Sequence, residues 1–346
     1  MQFPGQGKPP VGIVFDTGMN RIDDALALSL LYGFDGKNEA RVIAVSVSRP
    51  NLEAAAYCDA VGHFYAGPVS TAFFSFSRTL PIGLADGNGR DDTPMVDAVL
   101  AKKKDDGTPV YPRGIAKLDD TAEVRALIRN ALTAQYDRNA IVVLGGPATD
   151  LAGVLELYGV KDLIASKVRF LAIAGGAYPD GPPDANIQAD IPAAKKLFAE
   201  WPTPIIASGH EIGAALLYPA ASIEKDFAWS PAHPVVDAYR AYKPMPYDAP
   251  TWDLSAVLYS ARPQEGYFQL SAPGAIRVLD DGRTTFTAAA EGKHRYLILD
   301  PAQKERILKT YTEIASAKPV VRVRRFRRPK QQVAPPPKPP EAAPKP

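Results

Sequence analysis

Short, continuously apolar runs alternate along this chain with longer stretches in which apolar residues recur every three or four positions. Val11 to Phe15, RVIAVSV from Arg41, IVVLGG from Ile141, VRFLAIA from Val168 and TPIIAS from Thr203 are of the first kind. Such runs, apolar on both faces, predict buried strands. The second kind begins inside VGIVFDTGMNRIDDALALSLL, from Asp23 onward, and continues in LEAAAYCDAVGHFYAG, TAEVRALIRNALTAQY, ATDLAGVLEL and the segment after Pro192. These predict helices, with Thr121 as the cap of the third and Pro192 in the first turn of the last. Strand and helix in strict alternation predict an α/β fold with a doubly wound, mostly parallel sheet. At least five strands then deliver their carboxyl ends to one edge.

The pattern changes after His210 and Glu211. HPVVDAYRAY and TWDLSAVLYSA are helical, whereas YFQLS, AIRVL, RTTFTAA and RYLILD, parted by PG, DDG and EGK, predict a small antiparallel β extension over residues 266–300. A last helix ends near Ser316. Ser70 to Leu118 is dense in Gly, Asp, Asn and Pro and predicts a long irregular excursion. The expected organisation is a single domain over residues 1–318 followed by a tail over 319–346. That tail holds nine prolines in 28 residues and cannot pack a core, so it is expected to be disordered.

Charge sharpens this division. The net charge is +2, of which the segment from Pro319 contributes +7, leaving −5 on the rest. RVRRFRR offers a contact to an anionic surface; no nucleic-acid module accompanies it, so nucleic-acid binding is not expected. Cys58 is the only cysteine, which excludes an intramolecular disulfide framework and a multi-cysteine metal site. No apolar run reaches the ~20 residues that span a bilayer, and the first ten residues lack the apolar core of a signal peptide. A soluble, cytoplasmic protein is the expectation.

Candidate chemistry gathers where the first strand gives way to the first helix. Asp16 ends the apolar run, and the adjacent Asp23 and Asp24 open the helix, so three acids fall within nine residues. One aspartate at a helix start is explained as a cap that complements the helix dipole. Three exceed that need, and close carboxylates call for a hard cation or hydroxyl groups between them. Asn51 stands between the second strand and its helix, as a cap or as a pocket residue. His63, inside a helical pattern, is expected to pack. Asp184, Asn186 and Asp190 lie in the loop after the paired glycines of AGGA, and Asp253 repeats the placement of Asp24, an acid set against an apolar helix.

Four separated pieces, in order, carry a family likeness: FDTGMNRIDDALAL, VLGGPATDLA, AGGA with DANIQADIPAAKKLF, and TWDLSAVLY. Over roughly Pro10 to Ser316 the chain resembles the inosine-uridine preferring nucleoside hydrolases, whose second motif reads Gly-Pro-Leu-Thr-Asn. The resemblance implies a nucleoside-hydrolase-like fold and a hydrolase that cleaves the N-glycosidic bond of a ribonucleoside or related ribosyl compound, in purine or pyrimidine salvage, with a homo-oligomer as one assembly. It implies Ca2+ held by Asp24, Asp253 and the Gly145 carbonyl, with a calcium-bound water as nucleophile. Asp23 and Asn186 would hold ribose hydroxyls, with Asn51 and Asp184 lining the same pocket.

Two departures qualify it. Where the family carries an aspartate two residues after the first, serving as calcium ligand and general base, this chain has Gly18, and the loop to Asp23 is of unusual length. Asp16 is then the expected catalytic base and a further metal ligand, or the base is absent. Where many members carry a histidine before the C-terminal acid, this chain has Trp252, which can stack on a base but cannot protonate it. The alternative is a catalytically lapsed member acting as a ligand-binding or scaffold protein without calcium.

Overall fold

A computed structural model describes residues 9–66, 80–87 and 93–320. The tail from 321 and parts of the Ser70 to Leu118 excursion lie outside them. Seven strands follow in chain order: β1 (Val11–Thr17), β2 (Ala40–Val47), β3 (Ile82–Leu84), β4 (Ala122–Glu123), β5 (Ala140–Gly145), β6 (Val168–Ala174) and β7 (Ile205–Ser208). A short hairpin pairs β8 (Leu217–Tyr218) with β9 (Ala249–Pro250). Last come β10 (Gln269–Leu270), β11 (Gly274–Val278), β12 (Thr284–Ala288) and β13 (His294–Ile298).

The main sheet runs β12-β11-β13-β7-β6-β5-β1-β2-β3-β4, with β10 paired to β13. It is the doubly wound, mostly parallel sheet expected from the alternation of strands and helices. From β1 the chain winds one way through β2, β3 and β4 and the other way through β5, β6 and β7. β1 and β5 therefore flank the switch point, where an open α/β sheet leaves a crevice beyond its carboxyl ends.

Two apolar cores cover the faces. The helices Ile22–Gly36, Leu52–Ala66, Trp252–Ala261 and Lys304–Ala315 pack on one face through Leu26, Ala55, Leu254 and Ile307. The helices Val124–Thr133, Thr149–Val154, Val160–Lys167 and Ile191–Glu200 pack on the other through Ile128, Leu151, Ile164 and Leu197. Among the described residues no helix is long and apolar enough to cross a membrane.

Local differences from the sequence expectation have physical causes. The antiparallel extension near the C-terminus joins the main sheet through a parallel pairing: β13 lies parallel to β7, with Arg295 opposite Ile206, and carries β11 and β12 at the edge. The helix after β4 is capped by Glu123 and not Thr121, because the longer side chain reaches back to accept from the Arg125 and Ala126 amides at 2.9 and 2.7 Å. His63 remains in its helix, its Nδ1 3.0 Å from the Asp59 carbonyl oxygen.

Candidate active site

The crevice is built from four chain segments. Beyond Thr17 a loop returns to the helix Ile22–Gly36, and the carboxylate of Asp24 organises that loop. It accepts from the Thr17 hydroxyl at 3.1 Å, the Asn20 amide at 2.9 Å and the Arg21 amide at 2.8 Å. Asp24 is thereby the cap of its own helix N-terminus, as the helix dipole favours. Asp23 is also buried, and its Oδ2 lies 3.4 Å from the Asp253 amide. Asp253, in the first turn of Trp252–Ala261, is fully buried, and neither carboxylate oxygen has a hydrogen-bond donor among the described residues.

β5 and the loop after β6 close the floor. A Cβ placed on Gly145 would overlap the Asp253 carboxylate, so only glycine lets the strand end meet the acid. The Gly145 carbonyl accepts from Asn186 Nδ2 at 3.0 Å. Asp184 caps the short helix Ala185–Ala189 by accepting from the Asn186 and Ile187 amides. Asp23, Asp24, Gly145, Asn186 and Asp253 are thus brought together, with Asp184 at the border.

One of the residues singled out in the sequence, Asp16, is placed elsewhere. Neighbouring positions on a strand point to opposite faces, so with Thr17 turned to Asp24 the side chain of Asp16 turns the other way. Its neighbours are Ser46, Ser48 and Asp150, and it does not join the acid cluster. Asn51 caps Leu52–Ala66 through the Ala54 amide at 3.1 Å and donates to the Thr93 hydroxyl at 3.0 Å.

Arg21, which no motif in the sequence singles out, also borders the crevice. Its Nε lies 3.5 Å from Asp23 Oδ1, and its guanidinium carbon sits 4.9 Å from the centre of the Trp252 ring, within cation–π range. Trp252 is stacked on His210 at 5.4 Å and donates Nε1 to the His210 carbonyl at 3.1 Å. The only signal for Arg21 in the sequence is its position, a lone cation between Asp16 and the Asp23–Asp24 pair.

Electrostatics follow from this packing. Burial pushes Asp23 up to about 7, against the pull of Arg21 and with the charge of Asp24 adding to the rise. Burial also holds Asp253 well above the ordinary carboxylate range, Asp24 and Asp23 next in importance. Arg21 is raised as well: burial works against its charge, yet Asp23, Asp24, Asp253 and Asp184 outweigh burial. On the far face of the sheet burial and Asp150 raise Asp16, and burial takes Asp150 itself to about 7.

Calcium, which the sequence resemblance implies, needs six to eight oxygen ligands. The donor set does not suit it. Asp24 and the Gly145 carbonyl are engaged by protein donors, Gly18 brings no carboxylate, and Arg21 places a cation against the remaining acids. Among the described residues no group of three or more acidic, histidine or cysteine side chains is arranged to hold an ion.

Comparison with known proteins agrees with this architecture. The plant nucleoside hydrolase PpNRh1 superposes with a TM-score of 0.63 at 20% identity, covering 89% of this chain and 100% of its own. The inosine-uridine preferring nucleoside hydrolase of Bacillus anthracis gives 0.62 at 16%, covering 88% and 99%. The type III effector protein XopQ, solved in complex with adenosine diphosphate ribose, gives 0.59 at 17%, covering 91% and 95%. At such identities the likeness establishes the fold. A search of curated protein sequences finds no match. The model of the inosine-uridine preferring nucleoside hydrolases matches residues 13–309, and with that span of its length this chain belongs to the inosine-uridine preferring nucleoside hydrolase family.

Proposed function

We propose that the crevice beyond β1 and β5 binds the ribosyl group of a nucleoside or related compound, and that the reaction served is hydrolysis of its N-glycosidic bond. The observation that carries this reading is the convergence of Asp23, Asp253 and Asn186 on the carboxyl edge of the sheet in a chain of this family. Carboxylates and an amide beside one another match a cis-diol, the carboxylate and amide oxygens accepting from the hydroxyls and the amide N–H donating to one. Cleavage of an N-glycosidic bond passes through an oxocarbenium-like sugar, which fixed negative charge stabilises. Asp253, with two oxygens lacking a donor among the described residues, would in its ionised form accept the proton of the attacking water. Trp252 offers a ring to the leaving base but no proton, so the base departs without acid assistance from that position. No step is assigned to calcium, because the donor set does not suit it.

A specific observation favours a second reading, a binding protein that has given up hydrolysis: Arg21 stands among the acids that would otherwise serve the reaction. Incubation of the full-length protein with a panel of purine and pyrimidine nucleosides and ADP-ribose separates the two. Release of reducing sugar supports the hydrolase, and saturable calorimetric binding without release supports the binding protein. Absence of both overturns the ribosyl pocket itself.

A further inference from the structure

The acid cluster carries its own cation. Asp23, Asp24 and Asp253 are all fully or almost fully buried, and charges so placed are tolerated only when something opposes them. Arg21 opposes them from the loop that begins the helix. Its backbone amide donates to Asp24 Oδ2 at 2.8 Å, which fixes the residue, and its side chain turns inward to Asp23. Trp252 lies against the guanidinium at 4.9 Å and is itself held by its bond to the His210 carbonyl, so the charge is restrained on its apolar side as well. The same loop is altered at Gly18. A Cβ built there would lie 3.3 Å from Arg49 Nε and 3.0 Å from Asn20 Oδ1, so the direction in which a side chain at 18 would extend leads to a guanidinium. The Gly145 carbonyl is held by Asn186.

We infer that Arg21 is the resident cation of this pocket: its guanidinium takes the electrostatic place of a divalent ion, and the pocket assembles and receives its ribosyl ligand without one. The inference rests on the ribosyl-pocket reading for the identity of the ligand, but the replacement of the ion by Arg21 stands or falls on metal binding alone. A guanidinium and a divalent ion cannot share so small a cluster. Removing the arginine should therefore uncover affinity for a hard cation, because the acids are left unopposed.

The test uses the full-length protein, purified without chelator, with metal content measured and Ca2+ and Tb3+ titrated by calorimetry and terbium luminescence. Wild type should carry no stoichiometric metal, and its melting temperature should be the same in Ca2+ and in EDTA. Arg21→Met should bind Tb3+ and Ca2+ at least about tenfold more tightly than wild type and should melt higher in Ca2+ than in EDTA. Arg21→Lys, which keeps the charge, should behave as wild type in both respects. Wild type that retains one calcium per chain, or binds Ca2+ below about millimolar levels, overturns the inference whatever the variants do. So does a folded Arg21→Met with no gain in cation affinity. Should Arg21→Met fold only in the presence of Ca2+, that dependence is the expected gain in its strongest form; failure to fold with or without Ca2+ while Arg21→Lys is intact and metal-free also overturns it. Binding or hydrolysis of ribosyl compounds is read separately, so loss of that reading leaves the metal result interpretable.

Discussion

Gly145 and Asp253 meet where β5 ends and the helix Trp252–Ala261 begins, so closely that a Cβ on the glycine would stand 2.6 Å from the carboxylate carbon. The strand end and the acid are therefore fitted to one another through the absence of a side chain. Gly145→Ala must displace Asp253 or the end of β5, since both are buried among well-packed neighbours. The expected outcome is a loss of about 1–3 kcal/mol in stability from overpacking. Ribosyl binding should fall more than the fold does, because the displaced group faces the crevice. Denaturant unfolding and ligand calorimetry on the same sample check both.

The opposite face of the sheet gives a pH dependence. Asp150, at the start of Thr149–Val154, is raised from the ordinary value near 3.8 to about 7 by burial, and it in turn raises Asp16. A carboxyl whose pKa is raised by folding keeps its proton in the native state while the unfolded chain has released it. Native stability therefore declines as pH rises from about 4 to about 7, and the loss is complete above that window. Asp150→Asn removes it. Its gain in stability should be near zero at about pH 4 and reach at most about 4 kcal/mol at about pH 8. Asparagine is also the residue of the family motif that GPATD resembles. A gain equally large at both pH values would show that the side chain acts through packing instead.

Asp16 tests how far reading in the chain direction can mislead. It ends β1 as an acid should at the edge of an α/β sheet, and the missing carboxylate at Gly18 makes it the obvious substitute. The alternation of side chains along the strand sends it to Ser46 and Asp150 while Thr17 faces Asp24. Asp16→Asn should accordingly leave ribosyl binding within about twofold of wild type, whereas Asp253→Asn should weaken it at least about tenfold. Equal losses in the two variants, measured by calorimetry, would return Asp16 to the site.

What the sequence displayed was whatever depends on local pattern. The apolar runs at Val11 and Ile141 are strands, and Asp253 is buried at a helix start, because an acid beside a continuous apolar face has nowhere else to go. Pairing between distant segments was hidden. The alternating segment at His294 looks like one arm of a hairpin, and only the free edge of β7 makes it parallel. Arg21 was hidden for a related reason: a cation before a helix ordinarily faces solvent, and its inward turn depends on Trp252, which arrives more than two hundred residues later.

A contact between the first and last helices governs stability far from the crevice. Gly33, on the first helix, lies under the last one, and a Cβ there would overlap the Ile314 carbonyl and stand 2.8 Å from its Cγ2. One turn earlier the Ser29 hydroxyl donates to the Ala315 carbonyl at 2.7 Å, closing the end of the last helix against the first. Gly33→Ala should destabilise by about 1–3 kcal/mol despite the better helix propensity of alanine, because overpacking against backbone cannot be relieved by a rotamer change. Thermal unfolding reads it directly, and a variant as stable as wild type would mean that the last helix can slide.

Trp252 links Arg21 to the start of the short helix at His210, since its ring lies against Arg21 and its Nε1 is tied to the His210 carbonyl. The contributions separate by substitution. Trp252→Phe keeps an aromatic face for the guanidinium and for a nucleobase but gives up the hydrogen bond. Trp252→Ala gives up both and leaves space beside Gly213, whose position the indole fills. A cation–π contact is worth about 0.5–2 kcal/mol, so Trp252→Phe should bind a purine nucleoside within about threefold of wild type while Trp252→Ala binds at least about tenfold more weakly. Ribose alone, having no base to stack, should lose less than the nucleoside in Trp252→Ala. Calorimetry with the two ligands distinguishes the roles: equal losses for both assign the tryptophan to holding Arg21, and a loss confined to the nucleoside assigns it to the base.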